Sequence, residues 1–124
     1  MIDSLKIELS TTSLGESKEK IYILSLTGML DGHATISVEK RLTDHGMLQK
    51  PTKLVIDLEG LTYISSAGIG LLLATRARLI EHAGVCEICC AGPAVMEIFQ
   101  IVGIIDLVGI HASRKEAVQA AATS

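Results

Sequence analysis

The run Lys53-Leu-Val-Ile-Asp-Leu58 limits the fold more tightly than any other stretch of this chain. It is nearly continuous in apolar residues and of strand length, the mark of a strand covered on both faces. Glu59-Gly60 closes it. From Gly68 the periodicity turns helical, with Ile69, Leu72, Leu73, Leu79, Ile80 and Ala83 on one stripe and Gly84 where a C-terminal cap is expected. Arg76 interrupts the stripe and is expected either to snorkel or to reach a neighbour. Strands that alternate with helices in this way pair in parallel through crossover connections.

The other segments fit that frame. Leu5 to Leu9 alternates and predicts a short strand, the stretch from Ser10 to Lys20 is polar and turn-rich, and Ile21 to Leu26 predicts a second strand in an antiparallel hairpin with the first. Beyond the turn Met29 to Gly32, Ala34, Val38 and Leu42 recur at helical spacing, with Lys40, Arg41 and Asp44 between them. They predict a helix from His33 to Leu48 that Gly46 weakens and Pro51 ends. Val85 to Ala91 predicts another buried strand, Gly92-Pro93 opens a helix over Ala94 to Val102, and Leu107 to Ile110 predicts a last edge strand. Ser113-Arg-Lys-Glu116 ahead of Ala117-Val118 is a capping box that opens an alanine-rich helix. The expectation is one α/β domain over residues 1–124, a small mixed, mostly parallel sheet of about four to five strands flanked by about four helices.

With 48% hydrophobic and 20% charged residues, the 124-residue chain can bury a core and does not read as disordered. Tyr22, Tyr63 and Phe99 are its only large rings, so the core is aliphatic and offers no platform for stacking bases. A net charge of −3 with scattered basic residues argues against a nucleic-acid partner. The start Met1-Ile-Asp-Ser-Leu-Lys-Ile-Glu8 lacks the basic opening and apolar core of a signal peptide. No segment approaches the roughly 20 apolar residues that span a bilayer, so a cytoplasmic protein without membrane insertion is expected. Cys86, Cys89 and Cys90 crowd into V-C-E-I-C-C-A, but a strand sends Cys86 and Cys89 to opposite faces, and no second ligand pair accompanies them. Free buried thiols are expected, with no metal and no cofactor.

In folds of this kind sites gather at the carboxyl ends of strands, which selects two turns, Met29 to Gly32 and Tyr63 to Gly68, expected as neighbours. Ser65 and Ser66 then stand at the mouth of a helix whose unpaired N–H groups and dipole favour added negative charge. The plainest role for such serines is capping, a contribution of about 1 kcal/mol. The order V-I-D-L-E-G-L-T-Y-I-S-S-A-G-I-G-L-L-L nevertheless resembles the segment of STAS-domain anti-sigma factor antagonists that carries the phosphorylated serine. The resemblance runs from about Leu5 to Ala121, through L-T-G-M-L-D, the helix ending in H-A-G, the strand ending in A-G-P, and G-I-I-D-L-V.

The family's common loop reads Asp-Ser-x-Gly. By this resemblance Ser65 stands at the Asp position, Ser66 at the phosphate acceptor, Ala67 at the variable position and Gly68 at the glycine. Because the Asp is missing, the carboxylate's ordering of hydroxyl or loop is expected to be lost, and Ser65 becomes the second candidate acceptor. Thr62 is expected in the loop's hydrogen bonding. Asp31 corresponds to an acidic residue in the preceding turn that either orients the hydroxyl and repels the phosphate, or holds the Asp31-Gly32 turn. Gly68, Ile69 and the serines are the expected partner surface.

The resemblance implies a switch without catalysis. Its unphosphorylated form would bind an anti-sigma factor that is also a serine kinase with a histidine-kinase-like ATPase domain, freeing a sigma factor. Phosphorylation would end binding, and a serine phosphatase would reset it. The alternative on the same fold is a scaffold subunit of a stress-signalling or lipid-transport complex, never phosphorylated, whose serines are caps. A receiver domain would share the alternation and a strand-end Asp57, but it would carry an acidic pair after the first strand and a lysine after the last. A dinucleotide-binding G-x-G-x-x-G and a hydrolase G-x-S-x-G are both incomplete here, and His33, His45, His82 and His111 are dispersed.

Overall fold

The computed structural model describes residues 5–124; the first part of the N-terminal stretch considered above, residues 1–4, lies outside the described residues. Five strands form one sheet in the order β1 (Leu5–Thr12), β2 (Ile21–Leu30), β3 (Lys53–Ile64), β4 (Val85–Cys89) and β5 (Ile110–His111). β1 and β2 pair antiparallel, and the other neighbours pair in parallel. Four α-helices accompany them, α1 (Ala34–Asp44), α2 (Ser66–Glu81), α3 (Pro93–Val102) and α4 (Arg114–Ala122), with a 3-10 turn at Met47–Gln49. The expected mixed, mostly parallel α/β architecture is what the chain adopts.

The two sheet faces are covered unequally. Residues of α1, α2 and α3 join Leu24, Leu54, Ile56 and Ile88 in the larger core. α4 alone packs its Ala117, Val118 and Ala121 on Ile21, Ile23, Val55 and Cys89. The alanines bring this helix close to the sheet. β3 is buried from Leu54 to Leu58, which accounts for its apolar run.

Several boundaries move from their expected places. β2 continues through Met29 to Leu30, and β3 passes through Glu59-Gly60 to Ile64. Two irregularities in their register, at Ser25/Thr27 and Gly28/Met29, absorb the extra residues of β3, so a segment that reads as a strand end is a bulged strand. α1 stops at Asp44 because Gly46 adopts a left-handed conformation, φ 64°, and the chain goes on as the 3-10 turn. β4 ends at Cys89, since Cys90 turns out of the strand at φ 63°. The last edge strand is Ile110–His111, because Leu107 bonds back to Ile104 in a turn.

α2 begins at Ser66, and its buried seam comprises Gly68, Ile69, Leu71, Leu72, Thr75 and Leu79. Ile80 is 49% exposed and Ala83 is exposed, so the expected stripe is rotated. Thr75 in the seam disguised its true direction. The left-handed residue after α2 is Ala83, φ 61°, whereas Gly84 is needed for space: a Cβ there would strike the Thr52 carbonyl oxygen. Arg76 is half-buried and makes no ion pair among the described residues, consistent with snorkelling.

Candidate functional site

Where β3 ends, Ser65 in an extended conformation turns the chain into α2. Its N–H donates to the Leu30 carbonyl at 2.9 Å and its hydroxyl donates to the same oxygen at 3.3 Å, pinning the loop to the end of β2. The Ser65 hydroxyl also accepts from the Gly68 N–H at 3.1 Å, the N-cap bond of α2. A neutral residue therefore does order this loop, contrary to the expectation drawn from the missing carboxylate. A cap requires an acceptor oxygen, which a hydroxyl supplies as well as a carboxylate.

Gly68 lets the loop close: a Cβ there would lie 2.7 Å from the Leu30 carbonyl oxygen and 2.8 Å from Ile64 Cγ1. Gly68 and Ile69 are both buried and support the loop from beneath. Ser66 and Ala67 are the exposed residues. The Ser66 hydroxyl makes no hydrogen bond among the described residues, and it sits in the first turn of α2, where backbone amides lack intrahelical acceptors.

The two turns are neighbours, since a Cβ on Gly32 would meet Ala67 Cβ at 3.8 Å. Asp31 Oδ1 accepts from the Ala34 N–H at 2.8 Å, holding the entry to α1; no bond joins it to either serine among the described residues. Thr62 donates its hydroxyl to the Gly28 carbonyl at 3.0 Å, so it links β3 to β2 and lies outside the loop's own bonding. Met29 and Tyr63, partners in the strand register, are 41% and 44% exposed and flank the loop with apolar surface. Sequence reasoning missed this pair because both residues read as turn. Their only signal was a large apolar residue one place before each buried strand end, Leu30 and Ile64.

The opposite sheet face carries a second polar cluster. One register row crosses all five strands through Glu8, Ser25, Asp57, Cys89 and His111. Asp57 is buried, and its Oδ2 accepts from Arg114 Nε at 2.8 Å and Nη2 at 2.7 Å, while Oδ1 accepts from the Glu59 N–H at 2.9 Å. Arg114 also donates to Ser25 Oγ at 3.1 Å. The hydrogen bond to Asp57 is the chief reason that the Arg114 pKa is raised. Asp57 thus holds α4 to the sheet.

Cys86 faces the three-helix side and Cys89 the α4 side, as strand alternation requires, and all three cysteines are free. Burial pushes the Cys86 thiol up to about 12, with the Glu87 charge adding to it. Burial likewise is the largest cause raising Cys89 and Cys90. Sequence reasoning did not foresee that Cys90 and Cys89 meet Asp57, with ligand atoms all within 4.8 Å of one another. Among the described residues no helix is long and apolar enough to cross a membrane.

Residues 15–117 match the family model described as the STAS domain. An anti-sigma F factor antagonist of Lysinibacillus sphaericus is 28% identical over 82 residues, covering 66% of this chain and 70% of the relative. An anti-sigma factor antagonist from Mycobacterium paratuberculosis shares the fold at a TM-score of 0.76 and 21% identity, over 95% of this chain and 94% of that one. The Bacillus cell fate determinant SpoIIAA in its phosphorylated form does so at a TM-score of 0.64 and 22% identity, over 93% and 98%. With a match that spans the sheet from the β1–β2 connection to α4, the chain belongs to the STAS domain family, in which it is similar to anti-sigma factor antagonists.

Proposed function

We propose that this chain is an anti-sigma factor antagonist that works in the cytoplasm by partner switching, with Ser66 as the residue that takes the phosphate. The observation that carries the reading is the division between the two serines. Ser65 is engaged by Leu30 and Gly68, whereas Ser66 is exposed with its hydroxyl unpaired. Modifying Ser65 would remove its hydroxyl's bond to Leu30 and displace the capping oxygen; modifying Ser66 would disturb neither.

A phosphate adds about −1.5 to −2 charges and three acceptor oxygens. At the start of α2 the helix amides and dipole tolerate it within this chain. A partner seated on Ser66, Ala67, Met29 and Tyr63 would meet that charge in the middle of a small, partly apolar contact and lose its fit. Ser66 Oγ would attack the γ-phosphate of ATP held by the kinase, and no other side chain of this chain need act as acid, base or nucleophile. The partners are an anti-sigma factor with a histidine-kinase-like serine kinase domain and a serine phosphatase. The curated relative's name and the phosphorylated state of the SpoIIAA structure support the reading.

The test is phosphopeptide mapping of the Leu54–Arg76 tryptic fragment after incubation with ATP and an extract of the protein's own cells. Phosphate on Ser66, lost in Ser66→Ala, is expected, as is loss of kinase-partner binding in Ser66→Asp with the fold retained. An unmodified fragment beside a control substrate phosphorylated in the same extract would return the serines to capping and favour the constitutive scaffold.

A further inference from the structure

We propose that Asp57, Cys89 and Cys90 form a binding site for a soft divalent cation, zinc being the class that suits the donors. The site lies on the α4 face of the sheet and is independent of the serine loop.

Three features of the fold converge on it. Parallel register places Asp57 of β3 directly beside Cys89 of β4. Consecutive strand residues point to opposite faces, but the left-handed backbone of Cys90, φ 63°, takes it out of the strand, and both thiols gather at Asp57 with the donor atoms within 4.8 Å of one another. The cluster is reachable: Cys90 is half-exposed, and an open pocket of about 260 Å³ lined by Ser25, Asp57, Glu59, Gly60 and Arg114 adjoins it.

The chemistry is balanced. Two thiolates and one carboxylate carry three negative charges, the paired Arg114 guanidinium offsets one, and a divalent cation matches the remaining two. Arg114 bonds Asp57 Oδ2 and the Glu59 N–H bonds Oδ1, and the thiol hydrogen bond between Cys90 and Asp57 is the contact a metal would replace. Binding replaces water ligands of the hydrated cation with two sulfurs and one oxygen, releases that water, breaks the two S–H bonds and passes both protons to solvent, with no change of oxidation state. Two sulfur donors select zinc-like cations over magnesium or calcium, and three protein ligands leave a fourth position for water. Cys86 lies on the other face of the sheet and takes no part. His111 neighbours Cys89 in the register, but its ring directs Nε2 toward Glu87 at 3.6 Å and it is not among the clustered donors.

The experiment uses the full, tag-free, reduced chain after chelator treatment, titrated with Co²⁺ and then Zn²⁺. One equivalent of Co²⁺ per chain with sulfur-to-cobalt charge-transfer absorption, displaced by Zn²⁺ and not by Mg²⁺, is expected. Cys90→Gly accommodates the positive φ and removes one donor, so it should weaken Co²⁺ binding by more than about tenfold, whereas Cys86→Ala should not. In the wild-type protein, Zn²⁺ should slow alkylation of Cys90, read by peptide mapping, a measurement that needs no variant to fold. Absence of the charge-transfer band, equal affinity of the wild type and Cys90→Gly, or an alkylation rate indifferent to Zn²⁺ would overturn the proposal.

Discussion

β3 contributes both to the serine loop, which follows its last residue, and to the Asp57 row, which crosses β2 and β3 nearer their middles. In the loop, hydrogen-bonding capacity is directed at backbone: Ser65 bonds the Leu30 carbonyl and the Gly68 amide, and Ser66 is left outside. In the row, polar side chains are directed at one another, and Asp57 is held beneath α4 by a two-pronged guanidinium. The difference teaches where a fold can accept a new charge. At the start of α2, solvent and free amides can receive one, whereas on the α4 face charge is buried and must be matched group by group.

Breaking the matched side should have the largest effect. Arg114→Met removes the charged partner of the buried Asp57 carboxylate and, because the guanidinium is half-exposed, should lower unfolding free energy by about 2 kcal/mol or more, read from urea denaturation midpoints. Adding Asp57→Asn should restore much of that loss; a single-variant cost near zero would remove the contrast between the two regions. On the serine side, Gly68→Ala forces a methyl against the Leu30 carbonyl and Ile64, and should cost about 2 kcal/mol in the same assay. The smallest effects sharpen the division between the serines. Ser65→Ala should cost about 1 kcal/mol through loss of the cap, and Ser66→Ala should stay within about 0.5 kcal/mol. Equal costs for the two would mean that Ser66 carries structure and is not a free acceptor.

The strand–loop–helix unit was legible because its signals are local. The apolar run of β3, the small residues of the loop and the capping box at Ser113, whose hydroxyl accepts from the Glu116 N–H at 3.2 Å, each depend on neighbours within a turn or so of chain. The length of β3 was not legible, because its bulges against β2 have no local marker. Nor was the exact seam of α2, since Ile69, Leu72 and Leu79 lie on the expected stripe and are buried but the face is turned to include Leu71 and Thr75. Thr75 in the seam and Ile80 outside it show that rotation.

By itself the sequence determined that strands alternate with helices, that the sheet is mostly parallel, and that two serines with small residues open α2, all through short-range periodicity and backbone preference. Tertiary structure alone decided that Ser65 caps while Ser66 is exposed, that Met29 and Tyr63 flank them, and that Ser25, Asp57 and Cys89 stand in one row. Those juxtapositions follow from strand register, which many distant contacts set together and no single segment encodes.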